Sequence, residues 1–430
     1  MQGLGGGQCA SDGGTAARIA DARATRSTLC LERIGDVQWK YVAKGQVLQS
    51  EKLFPHQSAL AEIMDFVRSH VVPEGFPDSV LPCYTPYMQW RCLQYFFGGA
   101  MGVFTTRSLL HALGVRNGAS SSAIAVNWVV KDGAGRIGKM IFARHGKKFD
   151  CHLKQIRFAG DVLMQLAAAL ELATSATPQF FLPLACIANI GKNVAAVAST
   201  STRAPIYKAF ARRENIGDIT AKGECIGNIA DLLGTGMGIL MSKNFPVFAP
   251  FSALAFGYVY SSFREVKAIQ LPTLNRHRFG IAVDTFLETG KVPGLVEANE
   301  RERIIVGPQW SLEKLELGAR VSDAFSAPQD YQYIDSLFKG ENYLVSYNPK
   351  RQRTYVVLKE RANGDDVLRA AFHGQLFVNI FDKCSSAEGA YQESCKYISP
   401  LYEHFKLDAE KQGWIMSETL LSPGNARVCT

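Results

Sequence analysis

None of the ten cysteines forms a Cys-x-x-Cys pair, and their positions show no regular spacing. A zinc site needs ligands at close intervals, and a disulfide framework needs paired cysteines in a short secreted chain. We therefore expect no metal site, and we expect the cysteines to be small buried residues in a reducing compartment. The histidines are scattered and no nucleophile–base arrangement stands out, so the sequence does not predict an enzyme.

A dense stripe of Lys and Arg is also missing, although the middle of the chain is basic. Residues 91–265 contain 19 Lys and Arg against 9 Asp and Glu, whereas on either side the acidic residues outnumber the basic ones by one. Basic residues beside apolar helices attract anionic lipid head groups and phosphates. Because no nucleic-acid reader motif is present, we expect membrane lipids as partners and no nucleic acid.

The chain divides into five segments by composition. Residues 1–28 lack a secretory apolar region and form a flexible or transit-like leader, and residues 29–88 form a short α/β lead-in with a hairpin around Gly35. Residues 89–267 are the basic helical core, and residues 268–300 are a linker region. Residues 301–430 form a small α+β domain, with a hairpin of NYLVSY and TYVVLK and helices over about 363–379 and 387–412.

The core segment is apolar, rich in glycine and predicted to be helical. Glycine costs about 1 kcal/mol relative to alanine in a helix in water, but it lets membrane helices approach closely. The glycines cluster in runs such as GGAMG (98–102) and GTGMG (234–238). The predicted fold is therefore mainly α, with a six-block, membrane-associated core and a C-terminal α+β domain. The six blocks lie at about 89–115, 117–143, 155–175, 177–202, 221–242 and 244–263.

Two windows in these blocks, Leu172–Gly191 and Asn244–Phe263, are free of charged residues over 20 positions. A helix of that length crosses a hydrocarbon layer of ~30 Å. Both windows contain prolines, so neither needs to be one straight helix. The helices of a soluble bundle are also apolar, so a soluble or peripheral bundle is the alternative to an integral membrane core.

The run Gly133–Gly138 (GAGRIG) matches G-x-G-x-x-G, the pattern of a dinucleotide-binding turn. That turn needs a strand before the glycines, and AIAVNWVV (123–130) could pass for that strand. The next ~100 residues show helical patterns and no alternation of strands with helices. We therefore favour helix packing as the role of these glycines.

Polar residues inside the apolar blocks are the candidate site, because ionisable side chains within a membrane are costly and usually face partners or a polar pathway. The functional interpretation is an anion or substrate pocket, and the structural alternative is a set of ion pairs at helix ends. The candidate residues are Asn127, Lys131, Asp132, Arg136, Asp161, Asn189, Lys192, Asn193, Asn228 and Asp231.

Helical spacing predicts pairs among the candidates. Four-residue spacing places Asn127 and Lys131 on one face, and it lets Asp132 pair with Arg136 on the adjoining face. Lys131 could instead pair with an aspartate of another helix, Asp161 or Asp231.

Several long stretches resemble the root UVB sensitive family of plants, whose shared domain also occurs in animals. They are VPEGFPDSVLPCYTPYMQWRCLQYFFGGAMGVFTTRSLLHALGV, NWVVKDGAGRIGKMIFARHGKKFD, KQIRFAGDVLMQLAAALELATS and IANIGKNVAAVASTSTRAPIYKAFARRENIGDITAKGECIGNIADLLGTGMGI. The resemblance covers about residues 50–290. Length and N-terminal context are most similar to the root UVB sensitive 2 branch.

The resemblance implies roles in root and early seedling development, UV-B response, vitamin B6 homeostasis and auxin transport. It also implies a plastid (chloroplast) location and a complex with another family member, and it supplies no catalytic residues. The first hypothesis is a membrane-associated, non-enzymatic factor without a cofactor. The alternatives are a transporter or carrier of a small anionic metabolite, and a soluble protein that binds pyridoxal phosphate through Lys131 or Lys192.

Overall fold

The computed structural model describes residues 27–34, 37–44, 47–53, 59–113, 121–144, 146–244, 246, 248–305, 314–384 and 386–429. Most of the predicted leader, residues 1–26, lies outside this part of the chain. The chain forms two compact units, Met1–His70 and Val71–Thr430.

The described residues of the first unit form an antiparallel sheet of three strands and a helix. The strands are β1 (Ser27–Ile34), β2 (Val37–Lys44) and β3 (Val47–Leu53), and the helix is α1 (Ala59–Val71). Ile34 pairs with Val37 and Lys44 pairs with Val47, so two residues separate each pair of strands. The hairpin around Gly35 is confirmed. The third strand, which follows a second glycine at position 45, was not predicted.

The second unit begins with the helical core, where the mainly helical fold class is confirmed. Within residues 84–268 the six predicted blocks are occupied by six long helices, and a short helix precedes the third of them. The helices are α2 (Tyr84–Ala112), α3 (Ser121–Ala143), α4 (Lys147–Cys151), α5 (Leu153–Ala173), α6 (Phe181–Phe210), α7 (Ile216–Asn244) and α8 (Phe248–Ala268).

Glycines bring α2 and α7 into backbone contact. A Cβ atom on Gly234 would overlap the carbonyl oxygen of Phe96, and one on Gly238 would lie 2.5 Å from the carbonyl oxygen of Ala100. From the other side, a Cβ atom on Gly99 would overlap the carbonyl oxygen of Asp231. Only residues without a side chain allow the two backbones to approach this closely.

The glycines of the G-x-G-x-x-G run lie inside α3, and the AIAVNWVV stretch before them is helical. The dinucleotide-binding turn is therefore excluded, because its strand does not exist. Gly135 packs against the side-chain amides of Asn189 and Asn193, and Gly138 packs against Ile190, so these two glycines serve the contact between α3 and α6.

Two helices are long and apolar enough to cross a membrane, Pro178–Phe210 and Ile216–Lys243, among the described residues. They differ from the predicted windows. The window Leu172–Gly191 contains the end of α5, a turn and the start of α6, so it is not one helix. The window Asn244–Phe263 belongs mostly to α8, whose last turns carry Arg264, Glu265 and Lys267.

The C-terminal part of the second unit is α+β, as predicted. Its described elements are β4 (Thr273–Asn275), α9 (Arg276–Thr289), α10 (Leu295–Arg301), β5 (Leu315–Leu317), α11 (Val321–Ala324), α12 (Pro328–Leu337), β6 (Tyr343–Asn348), β7 (Arg353–Leu358), α13 (Gly364–Phe381), α14 (Ala387–Lys411) and β8 (Ile415–Leu420). The three-stranded sheet has the order β5-β7-β6, with β5 parallel and β6 antiparallel to β7, and a parallel pair joins β4 to β8.

Two sequence predictions fall in this region. The NYLVSY and TYVVLK hairpin is confirmed as β6 and β7, and the two helices are confirmed as α13 and α14. The linker assigned to residues 268–300 is wrong, because this segment forms β4, α9 and α10. Phe279 and Phe286 of α9 belong to the same buried cluster as Phe372 of α13, so the segment is part of the core.

Candidate functional site

A network of buried charges lies at the centre of the helical core. Arg91 of α2, Arg157 of α5 and Glu265 of α8 are each at most 1% exposed. Both arginines reach the same carboxylate oxygen, Oε1 of Glu265, Arg157 at 3.2 Å and Arg91 at 3.6 Å. Taking such groups out of water costs several kcal/mol for each ion, so the shared carboxylate is needed to hold both guanidinium groups in place.

Arg157 connects this network to a second buried carboxylate. Its Nε lies 3.4 Å from Oδ2 of Asp161, one turn along α5. Asp161 also accepts a hydrogen bond from Ser262 at 2.7 Å, and Arg157 donates to Oγ of Ser199 at 2.5 Å. The guanidinium of Arg157 thereby joins α5, α6 and α8.

Further ion pairs surround the buried centre. Arg203 of α6 is paired with Glu224 of α7 at 2.5 Å and donates to the hydroxyl of Tyr95 at 3.3 Å. Lys192 of α6 forms an ion pair with Glu171 of α5. These cations are therefore occupied by carboxylates of the protein.

Two cavities lie beside this network. The smaller one, of about 320 Å³, is lined by charged and polar groups that include Arg157, Asp161, Lys192 and Arg203. The larger one, of about 960 Å³, lies between α2 and α7. Asp231 lines both.

The structure separates the predicted site residues into two groups. Asp161, Lys192 and Asp231 line the smaller cavity, and both Asp231 and Asn228 are exposed on α7. The others lie on α3 and α6, where these helices pack together. They are Asn127, Lys131, Asp132, Arg136, Asn189 and Asn193.

In the α3–α6 group the predicted pairs are not formed. Lys131 lies 3.2 Å from Asp132 and above the ring of Trp128, so neither Asp161 nor Asp231 is its partner. Asp132 therefore pairs with its neighbour and Arg136 is exposed. Lys131 thus pairs with its immediate neighbour in sequence, which four-residue spacing does not predict.

Asn189 and Asn193 have structural roles. Asn189 donates to the carbonyl oxygen of Lys131 at 2.9 Å, and Asn193 donates to the carbonyl oxygen of Asn189 at 2.9 Å. Their amides fill the space left by Gly135. These residues therefore form a polar contact between α3 and α6.

The central residues of the network, Arg91, Arg157 and Glu265, were not among the predicted site residues. A single charged residue inside an apolar helix indicates a buried ion pair, because its charge requires a partner. Arg91 and Arg157 carried this signal. Glu265 gave none, because it directly follows a charged residue at the end of an apolar window.

Comparison with known proteins assigns the chain to a family. Residues 57–290 match the family model of the vitamin B6 photo-protection and homoeostasis domain, and residues 291–429 match that of the root UVB sensitive protein C-terminal domain. The chain belongs to the root UVB sensitive family. The names of these family models and relatives link the family to UV-B sensitivity and to vitamin B6 homeostasis. No solved structure matches the chain.

Three relatives show how far the similarity extends. Protein root UVB sensitive 6 of Arabidopsis thaliana is 50% identical, over 95% of this chain and 89% of its own. Protein root UVB sensitive 2, chloroplastic, of the same plant is 31% identical, over 82% of each chain. RUS family member 1 of Dictyostelium discoideum is 30% identical, over 62% of this chain and 52% of its own. The family is confirmed, but the identity is higher to root UVB sensitive 6 than to root UVB sensitive 2, the branch favoured above.

The two family domains meet after α9, where Gly290 has a φ of 74° and ends the helix. A buried cluster joins them across this boundary. Lys154 and Arg278 of the first domain lie 3.1 Å and 2.8 Å from Oε2 of Glu302 in the second. Asn299 accepts from Lys154 at 2.8 Å.

Burial affects the pKa values of both Glu302 and Lys154. It would raise the pKa of Glu302, but Arg278 and Lys154 outweigh it and lower that pKa to about 2. Burial lowers the pKa of Lys154 to about 8, although Glu302 opposes the shift. Two cations share one carboxylate, so Glu302 is the residue whose charge the cluster needs most.

We predict that acid weakens this junction. Because Glu302 binds its proton more weakly in the folded chain than in the unfolded one, its contribution to stability is complete above pH 4.5 and is lost as the pH falls towards about 2. The loss amounts to about 2 to 3 kcal/mol. Glu302→Gln lacks this titration, so its unfolding free energy should fall less steeply than that of the native chain over this range. Denaturant unfolding of both chains in parallel measures the difference, and equal slopes would contradict the prediction.

Proposed function

We propose that this chain is a membrane-embedded, non-enzymatic factor in vitamin B6 homeostasis that acts together with another root UVB sensitive protein. The observation that supports the membrane location most directly is the inverted polarity of the helical core. Its charged residues Arg91, Arg157 and Glu265 are buried, whereas large apolar side chains face outward. In a water-soluble bundle the opposite arrangement is favoured.

The outward apolar side chains occur on several helices. Met140 of α3, Ile187 of α6, Leu232 of α7 and Phe256 of α8 are each more than half exposed, with further exposed valines, leucines and isoleucines beside them. Apolar surface on this scale marks a protein or membrane contact. A bilayer would cover the faces of all these helices at once, and the backbone groups within each helix already bond to one another.

Alkaline carbonate extraction of membranes tests this location. We expect the native chain to stay in the membrane pellet. Leu232→Lys places a charge on the outer face of α7, which costs about 3 kcal/mol in the hydrocarbon layer, so a smaller fraction of this variant should be retained. Leu407→Lys is the matched control, because Leu407 is an exposed leucine of α14 in the C-terminal domain. Release of the native chain by carbonate would show that the core is not embedded.

The proposed partner is a second member of the family, and the proposed location is the plastid. The location is supported by the relative whose name contains the word chloroplastic. Co-purification of the full chain with each family member from isolated plastids tests both proposals. Absence of the chain from plastids would contradict the location, and its isolation without any sister protein would contradict the partnership.

A second candidate function is a carrier of a small anionic metabolite, favoured by the cations that line the smaller cavity. Its weakness is that Arg157, Lys192 and Arg203 all have carboxylate partners. Anion uptake by vesicles that contain the purified chain would establish a carrier, and absence of uptake would exclude it.

Ion pairing also weighs against the binding of pyridoxal phosphate, because the two candidate lysines, Lys131 and Lys192, are both ion-paired. A visible absorbance band of a bound aldehyde cofactor would reverse that judgement.

A further inference from the structure

The two cavities beside the ion-pair network are neighbouring parts of one open groove on the helical core. Both are lined by Gly98 and Gly102 of α2 and by Asp231 of α7. The residues of α2 that line them begin at Gln94 and end at His111, which corresponds to ~25 Å along the helix axis. The hydrocarbon layer of a membrane is ~30 Å thick, so the groove has nearly the length of a transmembrane helix.

Small residues line the groove at four-residue intervals. On α2 they are Gly98, Gly102 and Thr106, and an added Cβ atom on Gly102 would have no other atom within 4 Å. Asp231 and Thr235 repeat the same interval on α7. Small residues at this spacing let the backbone of another membrane helix approach closely. The described residues leave the groove uncovered at Gly102, so a further helix has room there.

Asp231 places an unpaired negative charge in the groove. No hydrogen bond or ion pair within the described part of the chain reaches its carboxylate, and a Cβ atom on Gly99 would lie 2.9 Å from its Oδ1, so the carboxylate packs against α2. Asp231 lies near the middle of α7, between the apolar residues Ala230 and Leu232. In a membrane this level is hydrocarbon, where a carboxylate without a partner is costly. A basic residue of a binding partner would neutralise it.

The opposite charge lies farther along the same groove. Arg107 donates from Nη1 to the carbonyl oxygen of Ser242 at 2.5 Å, and no carboxylate of the described residues pairs with it. Ser242 is eleven residues beyond Asp231 on α7, so the two charges are ~16 Å apart along the axis. Beside Arg107, Ser108 is only 5% exposed and lines the groove, but its hydroxyl makes no hydrogen bond within the described structure. A buried hydroxyl without a partner indicates a polar group that a ligand supplies.

We propose that the groove binds a transmembrane helix of another protein, with a basic residue opposite Asp231 and an acidic residue opposite Arg107. The separation of ~16 Å corresponds to about three turns of a helix, so one face of a single helix presents both charges at the required distance. The acidic residue pairs with Arg107 and accepts a hydrogen bond from Ser108. Gly102 lies between the two ion pairs and lets the backbones approach.

Other occupants do not complement the groove. A second copy of this chain, related by a two-fold axis along the membrane normal, keeps every residue at its own depth. Two facing grooves would therefore bring Asp231 close to Asp231 and Arg107 close to Arg107. The acyl chain of a lipid fills an apolar groove but neutralises neither charge. A helix that carries both charges satisfies the groove at both positions.

Photo-crosslinking of the purified full chain in detergent micelles tests the proposal, with a synthetic apolar helix of about 24 residues as the probe. The probe carries a lysine and a glutamate at the spacing of Asp231 and Ser242, with a photoreactive residue between them on the same face. We expect it to cross-link to α2 and α7 at the groove, about tenfold more than the same helix without charges. The helix with glutamate at both positions should cross-link no more than the uncharged helix.

Charge variants of Asp231 separate ion pairing from apolar contact. Asp231→Asn should reduce cross-linking of the charged helix about tenfold, because its lysine loses its partner. Asp231→Lys should transfer the preference to the helix with glutamate at both positions, since that helix then meets a cation at each end of the groove.

A matched pair of glycine variants tests the location of the helix. Gly102→Leu fills the groove where an added side chain meets nothing else in the described chain, so we expect the variant to fold and to lose the probe. Gly236→Leu is the control, because Gly236 of α7 has equally open surroundings but lines neither cavity. Equal cross-linking of the charged and uncharged helices, or equal cross-linking by these two variants, would overturn the proposal.

The inference rests on the proposed function, because it names the surface through which the proposed family partner binds. Co-purification of a family member that is lost in Gly102→Leu and kept in Gly236→Leu would identify that partner as the occupant of the groove. Binding of the synthetic helix is measured on the purified chain and does not depend on that partner. A chain that binds the charged helix but co-purifies with no family member would contradict the proposed partnership and still support the groove as a helix-binding site.

Discussion

Replacement of Gly234 and Gly238 together by alanine should destabilise the chain by about 4 kcal/mol, after the gain in helix propensity is subtracted. Each added Cβ atom would meet a backbone carbonyl group of α2, at Phe96 and at Ala100, and a backbone cannot turn aside as a side chain can. Overpacking of this kind costs about 1 to 3 kcal/mol at each site, and contacts with backbone lie at the upper end. A loss of this size approaches the whole stability of many proteins, so folded protein should be scarce. The folded yield and the melting temperature in detergent are the measurements.

The matched control uses two other glycines of the same helix pair. Gly236 of α7 and Gly102 of α2 have no atom within 4 Å of an added Cβ. Alanine raises helix propensity by about 1 kcal/mol for each glycine that it replaces. We therefore expect the Gly236→Ala and Gly102→Ala double variant to be at least as stable as the native chain. Equal destabilisation by the two double variants would refute the close packing of α2 against α7.

Glu265→Gln should cost about 4 kcal/mol of unfolding free energy. Gln has nearly the shape of Glu but no charge, so the substitution leaves Arg91 and Arg157 buried beside each other without their shared carboxylate. Removal of one partner from a buried ion pair typically costs about 3 to 5 kcal/mol. Denaturant unfolding followed by circular dichroism measures the loss.

A double variant separates the charge effect from a packing effect. Arg91→Gln combined with Glu265→Gln removes one cation together with the anion, so it should recover at least half of the stability lost in Glu265→Gln. Glu297→Gln is the surface control, because its ion pair with Arg301 is exposed on both sides and contributes at most about 0.5 kcal/mol. A Glu265→Gln variant as stable as Glu297→Gln would mean that the buried network does not hold the core together.

Charged residues that look alike in the sequence have different surroundings in the buried network and in the larger cavity. Arg157 and Asp161 bind each other one turn apart, so they stabilise the helices and are unavailable to a ligand. Asp231 and Arg107 lie on different helices, with no ion pair between them in the described structure.

Much of the local structure was predictable because local signals determine it. Apolar blocks between basic connectors predicted the long helices, and the runs NYLVSY and TYVVLK around a turn predicted the hairpin of β6 and β7. The strand β4 and the helix α9 were not predictable in the same way. They lie in a stretch that looked like a linker, and β4 becomes a strand only because β8, about 140 residues later, pairs with it.

The sequence by itself determined a mainly helical, glycine-rich core with a basic excess, an α+β C-terminal region and membership of the root UVB sensitive family. It also contained charged residues inside apolar helices, which indicated that these residues have buried partners. Only the tertiary structure decided which charges are partners, because ion pairs such as Arg157–Glu265 join residues far apart in the chain. It placed Asn189 and Asn193 in a helix contact and left Asp231 lining a cavity, a distinction that depends on how helices cross and that no local pattern records.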